Sequence, residues 1–250
     1  MIKKIILITG ASSGIGWSTA NKLAKKGHSL ILCGRNKNKL DELSKELNAD
    51  THVLTFDIRN KEEVFKSILS IPKEFKDIDV LINNAGNAHG LALVHESNIL
   101  DWEAMIDVNV KGLFYVTKAI LNDMVEKKSG QIINIGSIAG KESYPKGNVY
   151  CASKAAVEKF TEGLRLDLNP FGIRVGVVHP GLVATNFSNV RFKGDKERAK
   201  KVYEGFTPLS ANDVADCICY MIEAPKHVNI ADFTILPTDQ ASAYVLNKSD

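Results

Sequence analysis

The stretch VYCASKAAVEKF, residues 149–160, sets Tyr150 four positions ahead of Lys154 among alanines. Residues at i and i+4 share one helical face, so a phenol and an ammonium can meet there or converge on one ligand. Taken alone, the pair also reads as an ordinary amphipathic surface pair. Upstream, Ser137 ends an aliphatic run. A hydroxyl there can hold a substrate oxygen beside a tyrosine entering from the next helix, or it can simply start a turn. Groups of these types can hold or move a proton, which makes acid–base chemistry the activity to test against the rest of the chain.

The elements that must position these residues follow one alternation without linker or repeat. Aliphatic runs at 4–9, 29–34, 52–56, 79–84, 131–136 and 174–180 read as strands buried on both faces, and 229–236 could add an edge strand. Helical segments lie at 14–26, 37–47, 61–71, 100–127 and 153–168. Strand alternating with helix implies right-handed βαβ units and a parallel sheet. The expectation is one α/β domain over residues 1–250: a Rossmann-type doubly wound parallel sheet of about seven strands with helices on both faces. Such sheets bind ligands beyond the carboxyl ends of their strands, so the residues just past each strand matter most.

After the first strand comes TGASSGIG, with Gly10, Gly14 and Gly16 spaced G-x-x-x-G-x-G. Gly10 permits a tight turn, Gly14 lets backbone amides approach a pyrophosphate, and Gly16 lets the helix lie close to the sheet. The second strand ends with Gly34, Arg35 and Asn36 where an NAD enzyme would want an acid. A cation suits the 2′-phosphate of NADP, although Arg35 could also belong to a solvated basic face with Lys37 and Lys39. Asp57, with Ile58 after it, could accept from an adenine amino group or cap the next helix. In NNAG, Asn83 to Gly86, the asparagines can brace a loop or contact a cofactor, and Gly86 permits close approach past Ala85. HPGLVAT, His179 to Thr185, redirects the chain at Pro180 and Gly181, passes Val183, and offers the Thr185 hydroxyl to a carboxamide.

Composition excludes several classes. The 250 residues are 44% hydrophobic and 24% charged with a net charge of +3, too small to argue for nucleic acid. The apolar run Ile5 to Ile8 is too short for a signal peptide, and no stretch reaches the length of a membrane span. Cys33, Cys151, Cys217 and Cys219 lack CxxC spacing, so neither a metal nor a disulfide framework is expected, and a cytoplasmic protein fits best.

The chain resembles the short-chain dehydrogenase/reductases over essentially its whole length. TGASSGIG, NNAG, Asn109 in MIDVNVKG, Ser137, the YCASK pair and PGLVAT stand in that family's order and spacing. The resemblance implies a tetrad of Asn109, Ser137, Tyr150 and Lys154. In it Asn109 helps anchor a water linking the lysine to solvent; without the resemblance Asn109 reads as a helix-kinking polar residue. It also implies NADP binding by Gly10, Ser12, Ser13, Gly14, Ile15, Gly16, Arg35, Asn36, Asp57, Ile58, Asn83, Ala85 and Gly86. Tyr150, Lys154, Pro180, Gly181, Val183 and Thr185 complete that cofactor set. Members usually form homotetramers.

DWEAMIDVNVKGL, GNVYCASKA, FSNVRFKGD and HVNI look more narrowly like the NADP-dependent 3-hydroxy acid dehydrogenases. Those enzymes act on L-allo-threonine, serine and 3-hydroxypropionate, and reduce malonic semialdehyde. Asn36 departs from them, standing where a second basic residue is often found, and His179 occupies a variable position. Arg191 is then a candidate for holding a substrate carboxylate, with Lys141 and Lys146 as weaker ones, although Arg191 and Lys193 could instead decorate a mobile lid. Competing readings are a 3-oxoacyl-carrier-protein reductase, a broad carbonyl reductase, or a non-catalytic NADP-sensing member of the fold.

Oxidising an alcohol requires a base for its proton, and free tyrosine has a pKa of about 10. Lowering it by about 3 units takes about 4 kcal/mol. One positive charge about 4 Å away supplies about that much at an effective dielectric near 20. Lys154 is therefore expected to acidify the Tyr150 phenol almost alone, with the charge of an oxidised nicotinamide as a supplement.

Overall fold

The computed structural model describes residues 2–249. Ile6 and Ile8 of β1 (Ile5–Thr9) and Leu30 and Leu32 of β2 (Ser29–Gly34) enter one core, while Leu7 and Ile31 between them enter a second. Alternate side chains of a strand face opposite sides of the sheet, so this pattern requires cover on both faces. The series continues with β3 (Thr51–Thr55), β4 (Val80–Asn83), β5 (Gly130–Ile135), β6 (Ile173–Pro180) and β7 (Asp232–Ile235). Their order is β3-β2-β1-β4-β5-β6-β7, and each neighbouring pair is parallel.

The helices are α1 (Gly14–Lys25), α2 (Lys37–Glu46), α3 (Lys61–Leu69), α4 (Ile99–Ile106) and α5 (Leu113–Glu126). After β5 come α6 (Ile138–Lys141), α7 (Asn148–Leu168), α8 (Phe187–Arg191), α9 (Lys196–Lys201) and α10 (Ala211–Glu223). Leu23 of α1 and Val214, Ile218 and Met221 of α10 cover one face. Val64 of α3, Val116 and Ile120 of α5, and Leu164 of α7 cover the other. Each fully buried aliphatic side chain of this kind stabilises the fold by about 1.5–3 kcal/mol. The chain leaves β1 for β2 on one side and reaches β4 on the other, so a crevice opens at the carboxyl ends of β1 and β4.

The expected doubly wound parallel sheet and its seven strands are present. Several elements differ from the sequence reading, the short helices α6, α8 and α9 among them. The segment 100–127 is not one helix: a π turn, Asp107–Gly112, separates α4 from α5 and carries Asn109. The helix expected from 153 starts at Asn148, which brings Tyr150 onto the same helix as Lys154. Helix α10 is additional to the helices expected, although Ser210 and Asp213 form a reciprocal capping box ahead of its apolar positions.

Candidate active site

The crevice begins with the glycine turn. Gly10 and Gly14 hold φ of +67° and +56°, the left-handed region where a side chain is strained. A Cβ on Gly16 would press into the Gly10 carbonyl and come within 2.6 Å of Asn84 Nδ2. Ser13 stands at the N-cap of α1 but makes no side-chain cap, and the first turn holds no acid among the described residues. The first amides of α1 are thus left for an anion, as a pyrophosphate would require. Thr185 closes the turn from across the crevice, its Cγ2 lying 3.4 Å from where a Gly14 Cβ would be. Ser12 lies against Gly34, and Ile15 packs on the first core.

The tips of β1 and β4 are tied together. Thr9 Oγ1 accepts from the amides of Asn84 and Ala85, both at 3.0 Å, and Asn84 Nδ2 donates to the carbonyls of Thr9 and Gly10 at 2.9 and 3.2 Å. Asn84 therefore braces the glycine turn. Asn83 was expected at the cofactor, but its side chain turns into the interior. There it donates to Thr117 Oγ1 and Asn134 Oδ1, both at 2.9 Å.

At the tip of β2 the Arg35 side chain is two-thirds exposed, with its guanidinium 4.0 Å from Asp57. Asp57 is already engaged by Arg59. It accepts from Arg59 Nη2 at 2.6 Å and also from the Nε and the backbone amide of that arginine. Partial burial pushes the Asp57 carboxyl up, but these bonds and the charge of Arg59 hold it below the usual carboxylate range. Asn36 caps α2 through the Lys39 amide. Ile58 wedges against Gly112 of the π turn. A glycine cradle, uncapped amides and an arginine whose neighbouring acid is already neutralised fit a dinucleotide carrying a 2′-phosphate.

The four tetrad residues converge on the other side. Asn109, Ser137, Tyr150 and Lys154 are all at most 8% exposed. Gly86 draws two of them together: a Cβ there would lie 3.2 Å from Asn109 Oδ1 and 3.4 Å from Lys154 Nζ. Asn109 spends its amide on the loop after β4, accepting from Asn87 N at 2.8 Å and donating to Asn87 O at 2.9 Å and Ser153 Oγ at 3.0 Å. Lys154 Nζ donates to the Ile135 carbonyl at 2.8 Å. Burial lowers this ammonium to about 8.

Burial opposes the expected acidification. Burial pushes the Tyr150 phenol well above its ordinary value, Tyr144 pushes it further, and Ser137 and Arg191 only partly offset this. Lys154, which also donates to the Ile135 carbonyl, has to stabilise the phenolate against this burial.

Over Tyr150 lies a wall from later in the chain. The Arg191 guanidinium stands 5.2 Å from the centre of the Tyr150 ring and 5.5 Å from that of Tyr144, and donates to the Tyr144 hydroxyl. Gly90 and Arg191 are paired: Gly90 N donates to Arg191 O at 2.9 Å, and Arg191 Nε donates to Gly90 O at 3.2 Å. Lys193 meets Asp101 at 2.9 Å. Together with His89, Trp102, Met105, Lys146 and Tyr150, Arg191 lines a cavity of about 160 Å³. Lys141 lies elsewhere, bound to Asp232 and Glu158.

The HPGLVAT turn joins the two sides. Gly181 N donates to the Ile235 carbonyl at 2.8 Å, Val183 accepts from the Tyr203 hydroxyl, and Pro180 ends β6. Gln240 accepts from the Leu182 amide at 2.8 Å. Asn84 takes the bracing role that the sequence left open for the paired asparagines, whereas sequence reasoning missed Thr9, Tyr144 and Gln240. Tyr144 alone carries a signal, as an aromatic between Ser137 and Tyr150.

Comparisons with known proteins agree with this geometry. The sequence pattern of the family described as short chain dehydrogenase matches residues 4–196. The NADP-dependent 3-hydroxy acid dehydrogenase YdfG of Salmonella typhi is 44% identical over 240 residues, 96% of this chain and 97% of that protein. Serine 3-dehydrogenase of Rhizobium radiobacter is 40% identical over 238 residues, 95% of each. The closed form of serine dehydrogenase complexed with NADP+ superposes with a TM-score of 0.92 at 42% identity, covering 98% of this chain and 99% of that one. A glycine cradle, a buried tetrad and these similarities lead to one conclusion: the chain belongs to the short-chain dehydrogenase family.

Proposed function

We propose that the chain transfers a hydride between NADP(H) and a small 3-hydroxy acid or its 3-oxo counterpart, of the serine, L-allo-threonine and 3-hydroxypropionate class. Its relatives are named as NADP-dependent and as acting on 3-hydroxy acids or serine. It is an NADP-dependent oxidoreductase of CH–OH groups. The observation that carries the substrate class is Arg191, a cation held directly over the ring of Tyr150.

The Gly10–Gly16 turn and Arg35 would hold NADP, which when bound would supply or accept the hydride. The protein's own residues handle the proton and the orientation. Tyr150, protonated in its buried site, gives its phenolic proton to the substrate oxygen in the reducing direction. In the oxidising direction it takes that proton back, with the Ser137 hydroxyl and the Lys154 ammonium stabilising the phenolate. Ser137 orients the substrate oxygen. Arg191 offers its planar fork to the carboxylate two carbons away, and Asn109 holds the loop after β4 beside Lys154.

A homotetramer in the cytoplasm completes the reading. Leu100 on α4 and Leu166 on α7 are exposed, as an interface along these helices would need, and the four cysteines are free thiols. Among the described residues no helix is long and apolar enough to cross a membrane.

The test is a spectrophotometric panel with NADP and NAD. Free 3-hydroxy acids are expected to exceed their methyl esters in kcat/KM by about thirtyfold, the worth of a bidentate charge-assisted pair. Tyr150→Phe is expected to cut turnover by about a thousandfold while NADPH binding survives. Preference for esters or for acyl thioesters would overturn the substrate class, and a fully active Tyr150→Phe the mechanism.

A further inference from the structure

His179 has no part in the mechanism above, yet it lies directly beneath Ser137. It is fully buried at the end of β6. Its Nδ1 stands 3.0 Å from the Ser137 carbonyl oxygen. Gly136 makes the approach possible: a Cβ there would come within 2.7 Å of the same nitrogen. The next residue, Pro180, accepts from the Ser137 hydroxyl at 3.5 Å. Two consecutive residues of β6 thus hold the backbone and the hydroxyl of one serine.

The other ring nitrogen, Nε2, has no hydrogen-bond partner among the described residues. It faces Asp232 Oδ2 of β7 at 3.6 Å, and Lys141 Nζ takes that same oxygen at 2.5 Å while reaching Glu158 of α7 at 3.6 Å. Lys141 is the last residue of α6, and Ser137 is the N-cap of that helix. The contacts therefore close a ring from Ser137 through α6, Lys141, Asp232 and His179 back to Ser137. Burial and Lys141 favour the neutral imidazole, whereas the Ser137 carbonyl, Asp232 and Glu158 favour its protonation; burial is the largest influence, and His179 lies below its ordinary value. A neutral ring has one N–H to give, and both neighbouring groups are acceptors. The shorter contact, 3.0 Å to the Ser137 carbonyl against 3.6 Å to Asp232, favours the carbonyl as its acceptor.

We propose that His179 is a positioning residue for Ser137: its Nδ1–H fixes the Ser137 carbonyl, while Lys141, by drawing the Asp232 carboxylate to itself, leaves Nε2 without a bond that would compete for the proton. The inference rests on Ser137 orienting the substrate oxygen. Asparagine can place its amide N–H near the Nδ1 position, glutamine reaches only toward Nε2, and leucine offers no donor.

The test measures kcat, NADPH affinity and Tm for His179→Asn, His179→Gln and His179→Leu beside Ser137→Ala. His179→Asn is expected to hold kcat within about threefold, and the Gln and Leu variants to lose about tenfold or more, because a misplaced catalytic group costs up to about a hundredfold. NADPH affinity is expected to stay level in all three. Equal kcat in Asn and Gln variants, or no loss in any, would overturn the inference. Should Ser137→Ala remain active, the role given to Ser137 falls instead. The wild-type enzyme labelled with 15N-histidine gives a readout that needs no substitution. An Nδ1–H tautomer at His179 supports the proposal and an Nε2–H tautomer overturns it.

Discussion

The two banks of the crevice are built by opposite means. On the β1–β4 bank, backbone and short amides set the shape: Gly10, Gly14 and Gly16 open the turn, and Thr9 and Asn84 pin it. On the β5–β6 bank and above it, long charged side chains do so, with Lys154 buried on a carbonyl, Arg191 over two rings and Lys193 on Asp101. The first bank works by excluded volume, which one methyl group breaks. The second works by charge, which pH and salt can grade.

The largest effect expected from this contrast is on Lys154. Its folded value of about 8 lies below the 10.5 of the unfolded chain, so between those pH values the unfolded state binds more protons. Stability contributed by this group therefore rises as pH climbs from about 8 to about 10.5, by about 3 kcal/mol in all. Buried thiols and phenols with raised values act in the opposite sense over the same window, so the readout is a difference: in urea unfolding the wild type should gain on Lys154→Met as pH climbs, and parallel curves would remove the burial cost assigned to the ammonium. On the glycine bank, Gly16→Ala should weaken NADPH binding by about a hundredfold, near 2.7 kcal/mol, with no dependence on salt. Unchanged titration of NADPH fluorescence would refute the close approach at Gly16. Arg191→Met should raise KM for free acids by about thirtyfold, near 2 kcal/mol, and leave methyl esters alone. Equal shifts for both would make Arg191 part of the lid only. Lys193→Met should change kcat/KM by no more than about threefold, since exposed ion pairs contribute below about 1 kcal/mol. An effect that persists at high salt would place Lys193 nearer the substrate than its pairing with Asp101 indicates.

The same contrast explains what a sequence can reveal. Glycine spacing is legible because a positive φ or a missing Cβ admits few other residues, so Gly10, Gly14, Gly16 and Gly86 mark the crevice in the bare chain. The i, i+4 pair of Tyr150 and Lys154 is legible for the same kind of reason, a fixed helical period. Directions of side chains are not. Asn83 and Asn84 are adjacent and identical, yet strand alternation sends one into the core and the other to the turn, and only the sheet's cover decides which. The carbonyl that captures Lys154 and the arginine that captures Asp57 are likewise invisible to spacing, because one is backbone and the other depends on a loop. Helix α10 belongs with the legible features, since its capping box is a local signal.

The π turn at Asp107–Gly112 joins α4 to α5. An i→i+5 turn accommodates one residue more than an α-helical turn. Deleting a single residue there would let the ladder heal into one continuous, locally sounder helix. The flanking helices would keep their phase, because the wide turn already absorbs the extra residue, but the residues of the turn itself would shift by one position, parting Gly112 from Ile58 or Asn109 from Asn87. The segment is thus kept at an awkward length: shortening it would repair the helix and unhitch the loop that shelters the ammonium.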